Sequence, residues 1–267
     1  MIDSTACIEP GAAIGRDVSI GPYCVIGAHT AIGDECKLMA HVHVAGHTTI
    51  GPRTAIYPYA SLGTPPQSTR YRGGPTRLIV GADCDIREGV TMNTGTEEDR
   101  GVTTIGDRCM LMVGAHVAHD CIVGSDVTFA NNVVLGGHVA VGDNAVFGGQ
   151  AAVRQHVRIG EGAMITGLSG VRADVIPFGL VEGERARLVG VNVIGMLRRG
   201  WNKAEVHRLR EAYGKLFFGE GTFRERIEAV ANSYAGDNLV TKVVDFIRSG
   251  SRPLTMAVYR PQLKIQE

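Results

Sequence analysis

The sequence predicts a left-handed parallel β-helix followed by an α-helical C-terminal domain, from one long repeat and the point where it stops. Aliphatic or other large apolar residues recur at every sixth position, in two long runs and a short one. A period of six fits neither an α-helix nor an ordinary strand, but it suits short strands joined by tight corners, three to an 18-residue coil. The repeated positions are Ile2, Ile8, Ile14, Ile20, Ile26, Ile32, Leu38, Val44, Ile50, Ile56, Leu62, Val80, Ile86, Met92, Ile105, Leu111, Val117, Val123, Phe129, Leu135, Val141, Phe147, Val153, Ile159, Ile165 and Val171.

Glycines and cysteines follow the same repeat. Gly often comes directly after the repeated apolar residue, as expected at a corner that needs a permissive backbone. Several cysteines stand two residues before a repeated position, in a slot for a small inward side chain; they are Cys24, Cys36, Cys84, Cys109 and Cys121. We therefore expect buried, reduced thiols that fill core space rather than disulfides or a zinc site, in agreement with a cytoplasmic protein.

Two segments interrupt the repeat and are predicted to be loops thrown out from the coil. Residues 63–79 carry prolines, paired glycines and three arginines, and residues 93–104 are polar. Loops of this kind often carry function. We assign residues 1–189, including these excursions, to the β-helix and residues 190–267 to the helical domain.

The pattern becomes helical after about residue 190, and three helix starts can be placed. Asn202 is a candidate N-cap, and Thr222 with Glu225 forms a capping box. Asp237 is a candidate cap for a third helix. Apolar residues at helical spacing follow each start, which predicts an end piece that shields the last coil.

Composition and charge narrow the functional classes. Hydrophobic residues make up 44% and aromatic residues 6% of the chain, which indicates a globular protein with an aliphatic core. The sequence shows neither an apolar run of membrane-spanning length nor a secretory signal, so we expect a cytoplasmic protein without an integral membrane segment. Residues 198–267 hold 13 Lys and Arg against 8 Asp and Glu, a balance that suits an acidic protein partner or a solvated helical surface. Nucleic acid is not an expected partner.

Positions 18 apart stack above one another, which gathers polar residues at one corner of three successive coils. The two adjacent columns are His119, Gly137 and Gln155, and Asp120, His138 and His156. We interpret His119 as a general base, because imidazole titrates near neutral pH, with Asp120 holding the ring and favouring its charged form. The backbone N–H of Gly137 can act as an oxyanion donor, since no side chain covers it.

Another corner offers room for an apolar chain. Asn131, Gly149 and Gly167 stack in the same way and leave a strip free of bulky side chains. The flat faces of such a coil also favour a trimer about a threefold axis, with sites in the clefts between subunits.

Other interpretations stay open at this point. His116, His119 and His138 together suit a zinc enzyme of the hexapeptide carbonic-anhydrase kind, because zinc favours neutral imidazoles. A hexapeptide acetyltransferase with another acceptor is possible on the fold alone, since fold does not fix chemistry. A non-catalytic scaffold or ice-binding prism would need exposed ladders of Thr or Ser, which the sequence does not show. Isolated exterior histidines such as His41 are expected to be surface residues.

Five stretches of sequence resemble a known family. They are MIDSTACIEPGAAIG at residues 1–15, GGPTRLIVG at 73–81, AHVAHDC at 115–121, ANNVVLGGH at 130–138 and GVNVIGMLRRG at 190–200. The chain resembles the UDP-N-acetylglucosamine O-acyltransferases over essentially its whole length. The combination of AHVAHDC with GVN…RRG is specific within hexapeptide-repeat proteins.

The resemblance implies transfer of an (R)-3-hydroxyacyl group from acyl carrier protein to the 3-position of a UDP-linked N-acetylglucosamine, the first step of lipid A synthesis. It implies that His119 is the general base, that Asp120 orients it, and that the Gly137 amide binds the oxyanion. It further implies a homotrimer that needs no metal or cofactor. The positively charged helical end would suit the acidic carrier protein.

The resemblance also implies a set of substrate-binding residues. They are His116, His138, Gln155, Arg154, Ser68, Arg70, Asn192, Arg198 and Arg199. The last three match positions that help to bind the nucleotide or the carrier. Gly167 matches a position that limits acyl chain length, and Met164 lies near it on the expected acyl groove.

Several positions depart from the family pattern. Arg154 and Arg185 stand where His is common, and Ile194 stands where Glu is common. Ser68 and Arg70 replace an Asp-x-Lys pair; Arg keeps a phosphate partner with another geometry, and the loss of Asp removes an acceptor near the sugar. We therefore hypothesise a relaxed or altered acceptor, including a 3-amino sugar nucleotide that would give an amide.

The expected mechanism is direct acyl transfer without a covalent enzyme intermediate. His119 takes the proton of the attacking sugar group and returns a proton to the leaving thiol, while the Gly137 N–H stabilises the tetrahedral oxyanion. No Ser or Cys stands in a nucleophile-elbow sequence context, which argues against a ping-pong route.

Overall fold

A triangular coil of short strands, closed at one end by helices, makes up residues 1–258, which the computed structural model describes. Three sheets run along the coil, and except for one pair in the last coil, parallel strands pair with the strand three places further along the chain. Cys7 thus pairs with Val25, and His116 pairs with Val134, each one 18-residue turn away. The predicted left-handed parallel β-helix with a helical C-terminal region is confirmed.

The strands divide among the three faces of the prism. The first sheet contains β1 (Cys7–Ile8), β4 (Val25–Ile26), β7 (His43–Val44), β10 (Ser61–Thr64), β13 (Thr91–Asn93), β16 (His116–Val117), β19 (Val134–Leu135), β22 (Ala152–Val153) and β25 (Gly170–Val171). The second contains β2 (Ala13–Ile14), β5 (Ala31–Ile32), β8 (His47–Ile50), β11 (Arg77–Val80), β14 (Val102–Ile105), β17 (Ile122–Val123), β20 (Ala140–Val141) and β23 (Arg158–Ile159). The third contains β3 (Ser19–Ile20), β6 (Lys37–Leu38), β9 (Ala55–Ile56), β12 (Asp85–Ile86), β15 (Met110–Leu111), β18 (Thr128–Phe129), β21 (Val146–Phe147), β24 (Met164–Ile165), β26 (Gly179–Glu182) and β27 (Arg187–Val191).

The period-six residues form the core of the prism. From Ile20 to Val171 each of them is at most 4% exposed. Ile2 is 50% exposed because it lies in the first coil, which has a neighbour on one side only. The five cysteines named from the repeat are buried free thiols, as predicted.

The corners between strands fix the direction of each polar column. Asp120, His138 and His156 occupy the left-handed backbone region, with φ of 58°, 63° and 64°. The His138 N–H donates to the His119 carbonyl at 2.9 Å, and the His156 N–H donates to the Gly137 carbonyl at 3.0 Å. Equivalent corners of successive coils are therefore hydrogen-bonded in register, and their side chains point the same way.

The two interruptions of the repeat are shorter than the sequence predicted. Residues 77–80 and 102–105 pair in the second sheet as β11 and β14, because Leu78, Val80 and Ile105 restore the inward pattern. The segments outside the coil are residues 65–76, here named loop A, and residues 94–101, here named loop B.

The helices lie where the capping residues placed them, with one addition. The helices are α1 (Val193–Arg198), α2 (Lys203–Phe218), α3 (Phe223–Ser233) and α4 (Asn238–Arg248). Asn202 and Thr222 form capping boxes, and Asp237 caps α4. The antiparallel hairpin of β26 with β27 and the short α1 went unpredicted; α1 begins after Asn192, whose side chain accepts from the Gly195 N–H.

Arg158 links the last coils to the helical region. Arg158 donates from Nε to Asp174 at 2.7 Å and from its guanidinium to the Phe246 carbonyl at 2.9 Å. Asp174 is fully buried, and its hydrogen bonds to Arg158 offset the cost of that burial. Among residues 1–258, none of the helices combines the length and apolar character needed to cross a lipid bilayer.

Substitutions of two adjacent residues of β6 test whether the buried period-six residues stabilise the fold. Leu38 is 2% exposed, whereas Lys37 points to solvent. We expect Leu38→Ala to lower the free energy of unfolding by about 2–5 kcal/mol, through lost burial and a cavity, and Lys37→Ala to change it by less than about 0.5 kcal/mol. Denaturant unfolding measures both; equal effects would contradict the assignment of Leu38 to the core.

Candidate active site

His119 and Asp120 form a hydrogen-bonded pair at the corner between β16 and β17. The Nδ1 of His119 lies 2.9 Å from Oδ2 of Asp120. The carboxylate is fully buried, while the imidazole keeps 16% of its surface exposed. With Asp120 ionised, Nδ1 carries the hydrogen, which leaves the lone pair on Nε2 as the base. The sequence therefore identified a pair that the structure brings together.

Loop B holds the Asp120 carboxylate in place, a feature that sequence reasoning missed. The Thr96 backbone N–H lies 3.0 and 3.1 Å from the two carboxylate oxygens, and the Thr96 hydroxyl donates to Oδ2 at 2.7 Å. The Asp120 N–H in turn donates to the Thr103 hydroxyl at 2.8 Å. These donors offset the cost of burying a charge and fix the orientation of the carboxylate towards His119.

Gly95 and Gly137 are required by close packing around this pair. A Cβ on Gly95 would lie 2.1 Å from the Val102 nitrogen and 2.7 Å from the Asp120 carboxylate. A Cβ on Gly137 would lie 2.5 Å from Cε1 and 2.7 Å from Nε2 of His119. Any larger residue at 137 would displace the imidazole from the position next to this backbone.

The Gly137 amide has a free hydrogen beside the base. Among the hydrogen bonds within residues 1–258, the Gly137 N–H has no acceptor, although its carbonyl accepts from His156. A buried N–H without a partner is uncommon in proteins. Its position next to His119 suits a donor that binds developing negative charge on the reacting group.

His138 and His156 extend the site along the column. The ring of His138 meets that of His119 edge to face at 4.9 Å and stacks on that of His156 at 4.2 Å. Nδ1 of His138 lies 2.6 Å from the Asp99 carboxylate of loop B. Burial lowers the pKa of His156, and the neighbouring His138 and Arg252 lower it further. Loop B therefore supplies a carboxylate partner to a second histidine of the column.

His116 lies half-buried on β16. Its Nδ1 lies 2.8 Å from the hydroxyl of Thr91 on the preceding coil. Burial lowers the pKa of His116, and His119 lowers it further, so the neutral imidazole is favoured. A neutral His116 can direct its second ring nitrogen to a substrate as donor or acceptor.

One cluster of side chains could approach a metal ion, but it is not the predicted zinc site of His116, His119 and His138. One ligand atom each from His119, Asp120 and His138 lies within 4.8 Å of the others, and His116 is not part of this group. Both histidines already direct Nδ1 to a carboxylate. In the part of the chain that the structure describes, the predicted set of His116, His119 and His138 is thus not assembled, and the two histidine–carboxylate pairs are suited to proton transfer.

Loop A lies against loop B. The Ser68 hydroxyl accepts from the Arg70 N–H at 3.3 Å, and Arg70 pairs with Glu98 at 3.4 Å. The Glu97 carboxylate accepts from the Gly74 N–H at 2.5 Å. Ser68 and Arg70 are therefore linked through loop B to the residues that orient His119, although neither one contacts it directly within residues 1–258.

The other predicted substrate residues fall into exposed and buried sets. Arg154, Gln155 and Arg198 are exposed side chains. Asn192 is 9% exposed, and its amide donates to the Gly162 carbonyl at 3.0 Å, so it also has a structural role at the start of α1. Arg199 donates to the Asn144 carbonyl.

Gly167 lies on the surface strip that the sequence predicted as the acyl groove. Gly167 is exposed, and a Cβ on it would meet the Gly149 carbonyl at 3.2 Å. The Gln150 N–H donates to the Asn131 carbonyl at 2.9 Å, which confirms the stacking of this column. Met164 is half-buried on β24.

Three candidate groups thus lie at three different corners of the prism. His119 belongs to the corner of His138, Arg199 binds at the corner of Asn144, and Gly167 precedes the corner at Leu168. Successive corners are a third of a coil apart, so one protomer presents these groups on separate edges.

Family comparisons agree with the fold and with the motifs. A family model described as UDP-N-acetylglucosamine O-acyltransferase, domain 2, matches residues 174–255. A second, described as bacterial transferase hexapeptide (six repeats), matches residues 103–137.

Individual relatives match along nearly the whole chain. The acyl-(acyl-carrier-protein)–UDP-N-acetylglucosamine O-acyltransferase of Azorhizobium caulinodans is 55% identical over 252 residues, which cover 94% of this chain and 93% of the relative. The protein of the same name from Rhizobium johnstonii is 45% identical over 250 residues, covering 94% of this chain and 92% of the relative. A crystal structure of a UDP-N-acetylglucosamine acyltransferase, 39% identical, matches with a TM-score of 0.93 and covers 97% of this chain and 100% of that one.

Proposed function

The chain belongs to the UDP-N-acetylglucosamine O-acyltransferase family, and on that premise we propose that it transfers an (R)-3-hydroxyacyl group from acyl carrier protein to the 3-hydroxyl of UDP-N-acetylglucosamine. This reaction is the first step of lipid A synthesis. The observation that carries the proposal is the His119–Asp120 pair beside the unpaired Gly137 N–H. A base and an oxyanion donor at one point are what direct acyl transfer requires.

The proposed reaction is a single displacement at the thioester carbon. Nε2 of His119 takes the proton of the sugar hydroxyl as its oxygen attacks, and Asp120 stabilises the imidazolium that forms. The Gly137 N–H donates to the carbonyl oxygen as it becomes negative. The tetrahedral intermediate then expels the carrier thiolate, which receives the proton from His119. General-base catalysis supplies about 10²–10⁴-fold and an oxyanion donor about 10²–10³-fold.

Loop A and the neighbouring histidines form the proposed acceptor side. His116 and His138 flank the base, and Arg70 supplies a cation for a phosphate group. Ser68 offers a short hydroxyl where the family often has a carboxylate, so the 3-amino acceptor is retained as the alternative to test. The names of the relatives favour the hydroxyl acceptor.

We propose a homotrimer in which neighbouring protomers complete each site. The base, Arg199 and the strip at Gly167 lie at different corners of one prism. A site that uses all three needs surfaces from two copies, and a threefold arrangement of prisms supplies such clefts. The proposed location is the cytoplasm, where the acidic carrier protein would meet the positively charged C-terminal region.

One assay tests the function and the choice of acceptor together. The purified protein is mixed with 3-hydroxyacyl carrier-protein thioesters of several chain lengths and with UDP-N-acetylglucosamine or its 3-amino analogue. We expect acyl transfer, with the larger kcat/KM for the 3-hydroxyl sugar. A preference for the amino sugar would overturn the ester product, and lack of transfer to either sugar would overturn the function.

Removal of the base tests the assignment of His119. We expect His119→Ala to lower kcat at least about 100-fold, because general-base catalysis is lost, with an unchanged circular dichroism spectrum. The control is His41→Ala, an exposed histidine that stacks between two tyrosines away from the pair. Near-normal turnover by His119→Ala would refute the role of this residue.

The loop B contact tests whether Thr96 positions the catalytic pair through Asp120. Thr96→Val removes a hydrogen bond to a buried carboxylate, a contact worth about 1.5–3 kcal/mol, so we expect kcat to fall about tenfold or more with little change in KM. Thr96→Ser keeps the hydroxyl and should restore kcat. If both variants match the parent, or lose activity equally with lower stability, the positioning role is wrong.

A further inference from the structure

A polar cleft opens where the histidine column meets the end of α4. It encloses about 390 Å³ and is lined by His138, His156, Arg158, Ser249, Ser251 and Arg252. The first three residues come from the coil, and the others come from the turn that follows α4. The cleft therefore begins next to the His138 ring, which itself touches the ring of the proposed base.

The two arginines of the cleft differ in their hydrogen-bond partners. Arg158 is fully engaged, with bonds to Asp174, to the Phe246 carbonyl and, at 3.2 Å, to the Ser249 hydroxyl. Arg252 makes no hydrogen bond within residues 1–258, and its Nε is buried there without an acceptor. A buried cationic N–H without a partner is unfavourable, which indicates that the site is built for an acceptor from outside the chain.

The charges around His156 show the sign of the potential in the cleft. Besides burial, the neighbouring His138, Arg252 and His119 lower the pKa of His156, and the carboxylate of Asp99 opposes them. Asp99 is already bonded to His138, and Asp174 is buried against Arg158. Among the residues that the structure describes, the unpaired donors that line the cleft are thus the Arg252 guanidinium, the exposed hydroxyl of Ser251 and the ring N–H of His156.

From these features we infer that the cleft binds a phosphate group of a substrate, with Arg252 as the principal donor. A guanidinium with free N–H groups matches phosphate oxygens in a forked arrangement, and a hydroxyl beside it supplies a further donor. A metal cation would be repelled by the arginines. The volume accommodates a phosphate with part of the chain attached to it.

This inference rests on the proposed function, because both of its substrates carry phosphate. One source is the phosphodiester of the prosthetic arm that bears the acyl thioester on the carrier protein. The other is the diphosphate of the UDP-sugar. The His138 and His156 rings that line the cleft continue the column of His119, so a phosphate bound there would lie beside the proposed catalytic pair.

Calorimetric binding to the purified protein separates the two sources without turnover. The probes are 4′-phosphopantetheine and UDP, each with its phosphate-free counterpart, pantetheine or uridine. We expect Arg252→Ala to weaken binding of one phosphate-bearing probe by about 10–150-fold, the factor that corresponds to the roughly 1.5–3 kcal/mol of a charge-assisted hydrogen bond, and to leave its counterpart unchanged. The probe that is weakened identifies the substrate.

Matched variants control this experiment. Arg248→Ala removes a nearby arginine that is exposed and pairs with Glu228 at 2.6 Å, and we expect it to bind all four probes like the parent. Ser251→Ala should weaken the same probe as Arg252→Ala by a smaller factor. The inference is overturned if Arg252→Ala binds UDP and 4′-phosphopantetheine like the parent, or if the parent binds neither. Acyl transfer by the parent in that case would leave the proposed function intact.

Discussion

Hydrogen bonds from each coil to the next, in a register of 18 residues, are the constraint on which the rest of this structure depends. Cys7 pairs with Val25 and His116 with Val134, and the same step holds at the corners. Two inward residues in six fill the prism: the large apolar residue of each strand and the smaller residue two positions before it. The outward positions are left free to carry chemistry, and the register decides which of them become neighbours.

The site arises where this register is interrupted. Loop B leaves the coil and folds back so that successive residues meet different parts of the site. Thr96 binds Asp120, Glu97 and Glu98 bind loop A, and Asp99 binds His138. A regular coil offers only short strands and corners, so the buried carboxylate of Asp120 obtains its donors from this excursion. The interruption thus joins the acceptor side of the proposed site to the base.

Close approach of backbone and side chain sets the other requirement of the site. Gly137 lies against the imidazole of His119 with no space for a Cβ, and its N–H is left unpaired. In the protein without substrate this buried N–H has no hydrogen-bond acceptor within residues 1–258, which is unfavourable. An N–H left unpaired in this way can donate to the oxygen of a reacting group. The helical region adds Arg199 and the turn at Arg252, each at its own place on the prism. The proposed function therefore depends on the assembly of corners from neighbouring prisms into one site.

The sequence by itself determined the coil, the columns and the helix starts. The period of six is a local property repeated many times, and once it is known the stacking of His119 on Gly137 follows by counting. Asn202, Thr222 and Asp237 could be placed because capping depends on a few adjacent residues. The family likeness of the motifs then gave the expected chemistry.

Only the tertiary structure decided the contacts made by the loops and by the chain end. Thr96 and Asp99 lie 24 and 39 residues from the side chains they bind, and no period relates them. The sequence does not distinguish Arg158 from Arg252. In the structure Arg158 pairs with Asp174, whereas Arg252 faces a cleft and its Nε has no acceptor among residues 1–258. A repeat fixes relations between positions at constant spacing. Segments that leave the repeat are placed by packing and charge, which act between residues distant in the chain.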